Sequence, residues 1–180
     1  MSDRERFERL VRPVLGSLYR FACRLTRDPV AAEDLLQQAL LRGLGHLGQL
    51  EADGAFRVWQ SRVLYTTFLN ARDRREDMRV GEEEIDGAAH RRAVIPFERT
   101  GPEHELGRRE LGERIGDALD RLPADQREAV WLVDGQGFKF AEAAGVLGVP
   151  PGTVASRVAR ARIALRMDLA AVAVEEGVGR

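Results

Sequence analysis

The sequence predicts an all-α protein made of two small helical domains joined by a flexible linker. Apolar residues recur at three- and four-residue steps along nearly the whole chain. The alternation of apolar and polar residues with turn dipeptides that marks strands is nearly absent. Charge composition reverses at residue 76, where residues 76–86 hold six acids and a single base, Arg79. A length of 180 residues allows one domain or two small ones; the reversal decides for two.

The first domain is placed at 1–75. Phe7, Leu10, Val11, Val14, Leu18, Phe21, Ala22 and Leu25 form an apolar stripe over residues 5–26, with Pro13 as a break or kink. Asp28-Pro29 marks a turn and the start of a second helix, about 29–47. That helix puts Leu36, Ala39, Leu40, Gly43, Leu44 and Leu47 on one side and leaves Asp34, Gln37, Gln38 and Arg42 for another. A connector, 49–55, contains Asp53-Gly54 and leads into a third helix from Phe56 to about Arg75. Residues 76–104 read as an acidic linker with Gly81, Gly87, Pro96, Gly101 and Pro102 and little periodicity.

The second domain is placed at 105–180. Leu111, Ile115, Ala118, Leu119 and Leu122 outline a helix ending before Pro123, and Asp125 is the expected N-cap of the next. Gly135 and Gly137 stop that helix, a short one follows at about 139–147, and the turn GVPPG leads into a long helix from near Thr153. Two helices joined by a tight glycine-bearing turn are a helix-turn-helix candidate. In the last helix Val154, Val158, Ala161 and Leu165 fall on the core side, while Ser156, Arg157, Arg160 and Arg162 point elsewhere. No acid occurs between Ala143 and Met167 against four arginines, so an anionic partner is expected, with backbone donors for a phosphate near Thr153.

Composition bounds the function classes. The 28 Lys plus Arg against 29 Asp plus Glu give a net charge of -1, which excludes a uniformly basic nucleic-acid coat and an acidic tail. Of the 28 basic residues 27 are arginines, each a rigid fork suited to phosphate or guanine. The single cysteine, Cys23, permits no internal disulfide and no cysteine-based zinc site. MSDRERFERL is too charged for a signal peptide, and LAAVAV at 169–174 is far short of the roughly 20 residues of a membrane span. A cytoplasmic protein without membrane contact of its own is therefore expected.

Enzyme chemistry finds no support. His46, His90 and His104 lack metal-ligand spacing, no glycine-rich phosphate loop follows a strand, and Cys23 has no catalytic companion in sequence. Glu33 and Asp34 are adjacent and diverge on a helix. No catalytic residue, metal or cofactor is expected.

Residues 119–166, with LP..QRE followed by GTV.SR..RAR, resemble the promoter -35 binding region 4 of extracytoplasmic function (ECF) sigma factors of the sigma-70 family. AEDLLQQALLRGL at 32–44 resembles region 2.2, which docks on the clamp helices of RNA polymerase. FRVWQSRVLYTTFLNARDRR at 56–75 resembles the helix that reads and helps melt the -10 element. The two matches come in the family's order with its linker between them. The resemblance implies a sigma factor that binds core polymerase through clamp helices and flap, recognises both promoter elements and promotes melting, with polymerase supplying the chemistry. It implies in addition an anti-sigma factor partner, a base-capturing role for the connector 49–55, and a path for the linker through polymerase channels.

Residue by residue, it assigns Thr153, Ser156, Arg157, Arg160 and Arg162 to the -35 element. It assigns Arg57, Arg62, Tyr65, Thr66, Asn70, Arg72 and Arg75 to the -10 element, and Asp34, Gln37, Gln38, Leu41 and Arg42 to core polymerase. The mixture of Phe56, Trp59, Tyr65 and Phe68 with arginines on one helix also suits single-stranded DNA, where bases stack on rings and phosphates meet guanidinium. Trp59 and Phe68 are assigned to the core, and Tyr65 to DNA. The chain departs from the family pattern at Thr66, where many members carry asparagine, at Leu40 and Leu44, which replace frequent aromatics, and at Ala155, which replaces a frequent base and shifts weight to Arg157 and Arg160. Promoter preference is thus less transferable than overall function. A helix-turn-helix repressor with a sensing or dimerising first domain shares the C-terminal evidence but leaves the region 2 resemblance unexplained. A sequestering adaptor would make no DNA contact from 56–75. Only about 14 residues follow Arg166, so regulation by a separate protein is expected.

Overall fold

The computed structural model describes the backbone of residues 2–79 and 105–175 and the side chains of 2–75, 112 and 114–170. These residues are helical without strands: α1 Asp3–Val11, α2 Leu15–Thr26, α3 Pro29–Gly45, α4 Phe56–Arg79, α5 Glu105–Arg121, α6 Ala124–Val130, α7 Phe140–Leu147 and α8 Pro151–Glu175. The chain divides into two compact units. The first is built on α1 to α4; the second holds α5, α6, the first part of α7, and α8.

Local chemistry explains most of the helix boundaries in the first unit. Ser2 and Glu5 form a reciprocal capping box on α1. Pro13 lies in the break between α1 and α2. Arg27 closes α2 in the left-handed region at φ 58°, and Asp28 then caps α3 by accepting from the Ala31 amide at 2.8 Å, with Pro29 as its first residue. One cluster of the core joins Phe7 of α1 to Leu47, Leu50 and Phe56, with Leu40, Leu44 and Trp59 packed around it. The Phe7 and Phe56 rings meet edge to face at 5.5 Å. Phe56 is therefore core, as are the half-buried Trp59 and Phe68 in part.

The buried face of α3 differs from the expected one. Ala32, Leu35, Ala39 and Gly43 are buried, whereas Leu36, Leu40 and Leu44 are only half-buried. The small residues win the inner position because α4 approaches closely there. Gln60 of α4 is fully buried and its Nε2 donates to the Ala39 carbonyl at 2.8 Å. Its amide oxygen, without a donor among the described residues, lies against Gly43, where a Cβ would collide with it and stand 2.9 Å from Cδ. Cys23 of α2 is buried; burial pushes its thiol above the ordinary range, against a smaller opposing effect of its hydrogen bond with Tyr19.

In the second unit Leu119 and Leu122 of α5, Val130 of α6 and Ala161 of α8 form a core with Trp131, Ala164 and Leu165 packed on it. Val154, Val158 and Ala161 are buried on α8 as the spacing predicts. Three boundaries differ. Asp125 is not a cap: α6 begins at Ala124 after Pro123, with no side-chain cap. The helix then widens into a π turn, Trp131–Gly135, before Gly137 at φ 70°. The long helix starts at Pro151, two residues before Thr153. The Thr153 and Val154 amides both donate to the Pro150 carbonyl, at 2.9 and 3.2 Å, and so are not the phosphate donors expected there. The first four residues assigned to the linker, 76–79, continue α4; the rest of it, residues 80–104, and the Leu111 side chain lie outside the described residues.

Gly43→Ala is expected to lower stability by about 1 to 3 kcal/mol through overpacking of the Gln60 amide. Urea unfolding checks this, and the cost should shrink when Gln60→Ala removes the obstructing group.

Candidate nucleic-acid interface

The α8 surface carries the second unit's candidate residues. Ser156 and Arg160 are exposed, one turn apart, with Arg160 Nε donating to the Ser156 carbonyl at 3.3 Å and the Ser156 hydroxyl donating to the Thr153 carbonyl at 2.9 Å. Thr153 is half-buried. Arg157 and Arg162 are engaged within the unit: Arg157 Nε lies 3.0 Å from Asp125 Oδ2, and Arg162 donates to both Asp134 oxygens at 2.9 and 2.6 Å. The Asp134 carboxylate holds the Arg162 guanidinium even more firmly protonated than usual. The sequence therefore brings the five residues onto one helix but misses the two aspartates that face them.

On α4, Arg62, Thr66 and Asn70 are exposed and lie within about 80° of one another round the helix. Tyr65 and Arg72 lie about 60 to 80° to the other side of Arg62, and Arg57 and Arg75 about 140° away. The seven residues assigned to the -10 element thus form a stripe with outliers. Tyr65 is half-buried and stacks on Phe21 with ring centroids 6.3 Å apart. Its ring is partly committed to the core, a role the sequence reading gave to Trp59 and Phe68 alone. The Thr66 hydroxyl bonds back to its own helix, reaching the Arg62 and Val63 carbonyls at 3.0 and 3.1 Å.

On α3, Asp34, Gln37, Gln38 and Leu41 are exposed, Leu41 at 65 %. Arg42 is turned partly inward, its Nη1 3.4 Å from the buried Thr67 hydroxyl of α4, and so leaves the outer surface on which it was expected. Leu36, Leu40, Leu41 and Leu44 line an apolar groove of about 580 Å³ between α3 and Phe7 of α1. Below it, the connector before α4 is pinned: Asp53 Oδ1 accepts from Arg6 Nε and Nη2 at 3.0 and 2.7 Å, and Oδ2 from Arg9 at 2.8 Å.

Two family models match in order, sigma-70 region 2 over residues 10–77 and sigma-70 region 4 over residues 112–165. The chain is 34% identical over 146 residues to the ECF RNA polymerase sigma factor EcfG of Rhodopseudomonas palustris, covering 81% of this chain and 75% of that one. The chain belongs to the ECF sigma factors of the sigma-70 family. It is also 35% identical over 164 residues to the ECF sigma factor SigM of Mycobacterium tuberculosis, covering 91% of this chain and 76% of the relative. Among solved structures it resembles the sigma factor RpoE of Bartonella quintana, crystallised with the anti-sigma factor NepR, at TM-score 0.68 and 29% identity over 91% of this chain and 96% of that one.

Sigma factors are transcription regulators rather than enzymes. No helix among the described residues is long and apolar enough to cross a membrane. What sequence reasoning missed in this ECF chain is a set of arginine–carboxylate contacts between residues far apart in sequence. Arg6 and Arg9 reach Asp53, Arg157 reaches Asp125, and Arg162 reaches Asp134. Helical periodicity carries no signal for such pairs.

Asp53→Ala removes the acceptor of both α1 arginines. It is expected to cost about 1 kcal/mol or less while clearly speeding amide hydrogen exchange at residues 50–56, read by mass spectrometry.

Proposed function

We propose that this ECF family member binds core RNA polymerase, recognises the -35 and -10 promoter elements and promotes melting of the duplex, acting in the cytoplasm under an anti-sigma factor. Residues 1–75 serve as region 2, 76–104 as linker and 105–180 as region 4. The observation that carries this reading is the presence of both region 2 and region 4 in one chain, each on helices that expose polar residues suited to DNA.

Region 4 places α8 in the -35 major groove, with Ser156 and Arg160 as the exposed readers and Thr153 and Arg157 at their sides, while Arg162, about 160° round the helix from Arg160, holds Asp134. Region 2 reads the -10 strand with Arg62, Thr66 and Asn70, flanked by Arg57, Tyr65, Arg72 and Arg75; guanidinium meets phosphate and the ring edge of Tyr65 offers a stacking surface. The connector pinned through Asp53 receives a base flipped from that strand, whose unstacking cost of a few kcal/mol is offset by pocket contacts. Asp34, Gln37, Gln38 and Leu41, with Arg42 behind them, form the surface for the clamp helices, and region 4 meets the flap. The anti-sigma partner is supported by the complex in which the similar Bartonella sigma factor was solved.

Added to purified core polymerase, the protein is expected to confer specific initiation from a subset of a promoter library; no gain on any promoter would sink the proposal. Arg160→Ala is expected to weaken -35 duplex binding by about 1 to 3 kcal/mol when measured at fixed salt, whereas unchanged affinity would make this arginine a solvated bystander.

A further inference from the structure

Residues 3–9, most of α1, precede the stretch that matches sigma-70 region 2, which begins at residue 10. They nevertheless hold the connector between α3 and α4 at two points. Leu50 and Phe56 are buried at the connector's ends, and the five residues between them, 51–55, are exposed. Phe7 meets Phe56 edge to face at 5.5 Å and fixes the place where α4 begins. Arg6 and Arg9, about one turn apart on α1, reach the middle of the exposed stretch. Arg6 donates from Nε and Nη2 to Asp53 Oδ1 at 3.0 and 2.7 Å, and Arg9 from Nη2 to Oδ2 at 2.8 Å.

Asp53 opens the short 3-10 turn Asp53–Ala55 that leads into α4. That turn has no side-chain cap, and both Asp53 oxygens are directed at α1 instead. With the Arg6, Arg9 and Asp53 side chains 27%, 58% and 41% exposed, the network adds little to global stability. Its effect is local. An exposed loop keeps much of its backbone freedom unless something ties it, and three charge-assisted hydrogen bonds converging on one carboxylate tie this one at its centre.

We propose that Arg6 and Arg9 are positioning residues for promoter opening: through Asp53 they hold the connector in a preset shape, so that a flipped base enters a loop that is already ordered. This rests on the reading of residues 49–55 as the base-receiving connector. Extruding a base is unfavourable in itself, and a loop that had to order at the same moment would add its own conformational entropy to that cost. Ordering the loop beforehand removes the second contribution. The two arginines thus act through the connector rather than on the DNA.

The test uses holoenzyme assembled from core polymerase and the full chain, on fork DNA of a promoter from which it initiates. The -10 strand of the fork is single-stranded, and is either intact or abasic at one position at a time. In wild type, the position whose loss weakens binding most marks the captured base. D53N, and R6Q combined with R9Q, are expected to bind the intact fork several-fold more weakly and to lose most of the abasic penalty at that position alone. The loss from the two arginines should not add to that of D53N, and affinities for core polymerase and for a -35 duplex should stay at the wild-type value. An abasic penalty at the marked position as large in the variants as in wild type overturns the proposal, because a fold merely weakened binds every fork equally less well. A loss from the arginines that persists undiminished in the D53N background makes them direct DNA contacts and overturns it too. If no abasic position weakens wild-type binding, the connector reading itself fails and the proposal falls with it; a wild-type penalty that the variants leave unchanged removes this proposal alone.

Discussion

The first unit depends on the close approach of α3 and α4 at Gly43 and Gln60. A fully buried amide is a costly object to place between helices; here its nitrogen end donates to the Ala39 carbonyl, while Gly43, without a side chain, leaves room for an oxygen end that has no donor among the described residues. Ala32, Ala39 and Gly43 make α3 thin on this side, which leaves its leucines for the flank and the outside. The same seam sets what faces out. With α4 locked through Gln60, Ser61, Leu64 and Thr67, its opposite stripe must be Arg62, Thr66 and Asn70. With α3 locked through Leu35 and Ala39, its outer surface must be Asp34, Gln37, Gln38 and Leu41. The candidate partner surfaces are thus the complements of one packing decision rather than independent features.

A net charge of -1 first reads as a reason against nucleic-acid binding, and the acidic stretch after residue 75 supplies one way to reconcile it with arginine-rich helices. The structure adds another. Part of the cancellation is pairwise and local, with Asp53 between Arg6 and Arg9, Asp125 on Arg157, Asp134 on Arg162 and Asp168 on Arg121. Exposed pairs of this kind contribute little to stability, so their consequence is geometric and competitive: they decide which arginines stand ready for an anionic partner and where the α3–α4 connector sits. On α8 the pairing leaves Ser156 and Arg160 foremost.

Helix order and type were legible in the sequence because each apolar stripe is local and periodic, and the helix number was legible up to whether Pro13 breaks or kinks the first stripe. The caps at Asp28 and the break at Pro13 were legible for the same reason. Faces were less so. Leu36, Leu40 and Leu44 look like the core side of α3 by bulk, but the inner position went to alanine and glycine because the neighbouring helix, not intrinsic hydrophobicity, chose the smallest residues. Asp125 looks like an N-cap, yet Pro123 begins the helix sooner and frees the carboxylate for Arg157. Tyr65 looks free for DNA, but its ring has Phe21 beside it. For the α3 leucines and for Tyr65 the deciding partner lies on another helix, where a one-dimensional pattern carries no information; for Asp125 it is the neighbouring Pro123. The family assignment survived these errors because it rests on whole motifs rather than on single faces.

The departure at Thr66 shows how far that assignment reaches. An asparagine side chain both donates and accepts, and it can read a base edge in either sense. The Thr66 hydroxyl has one proton, directed back at the Arg62 and Val63 carbonyls, so toward a partner it is left with acceptor capacity alone. Asn70, one turn further on the same exposed stripe, keeps both capacities. In the proposed -10 role the two positions cannot therefore be exchanged: a base offering a donor suits Thr66, and a base requiring donor and acceptor together suits Asn70. Under the proposed -10 role, recognition would be displaced by a turn along α4 relative to a chain with asparagine at the first position, and the preferred -10 sequence would differ accordingly.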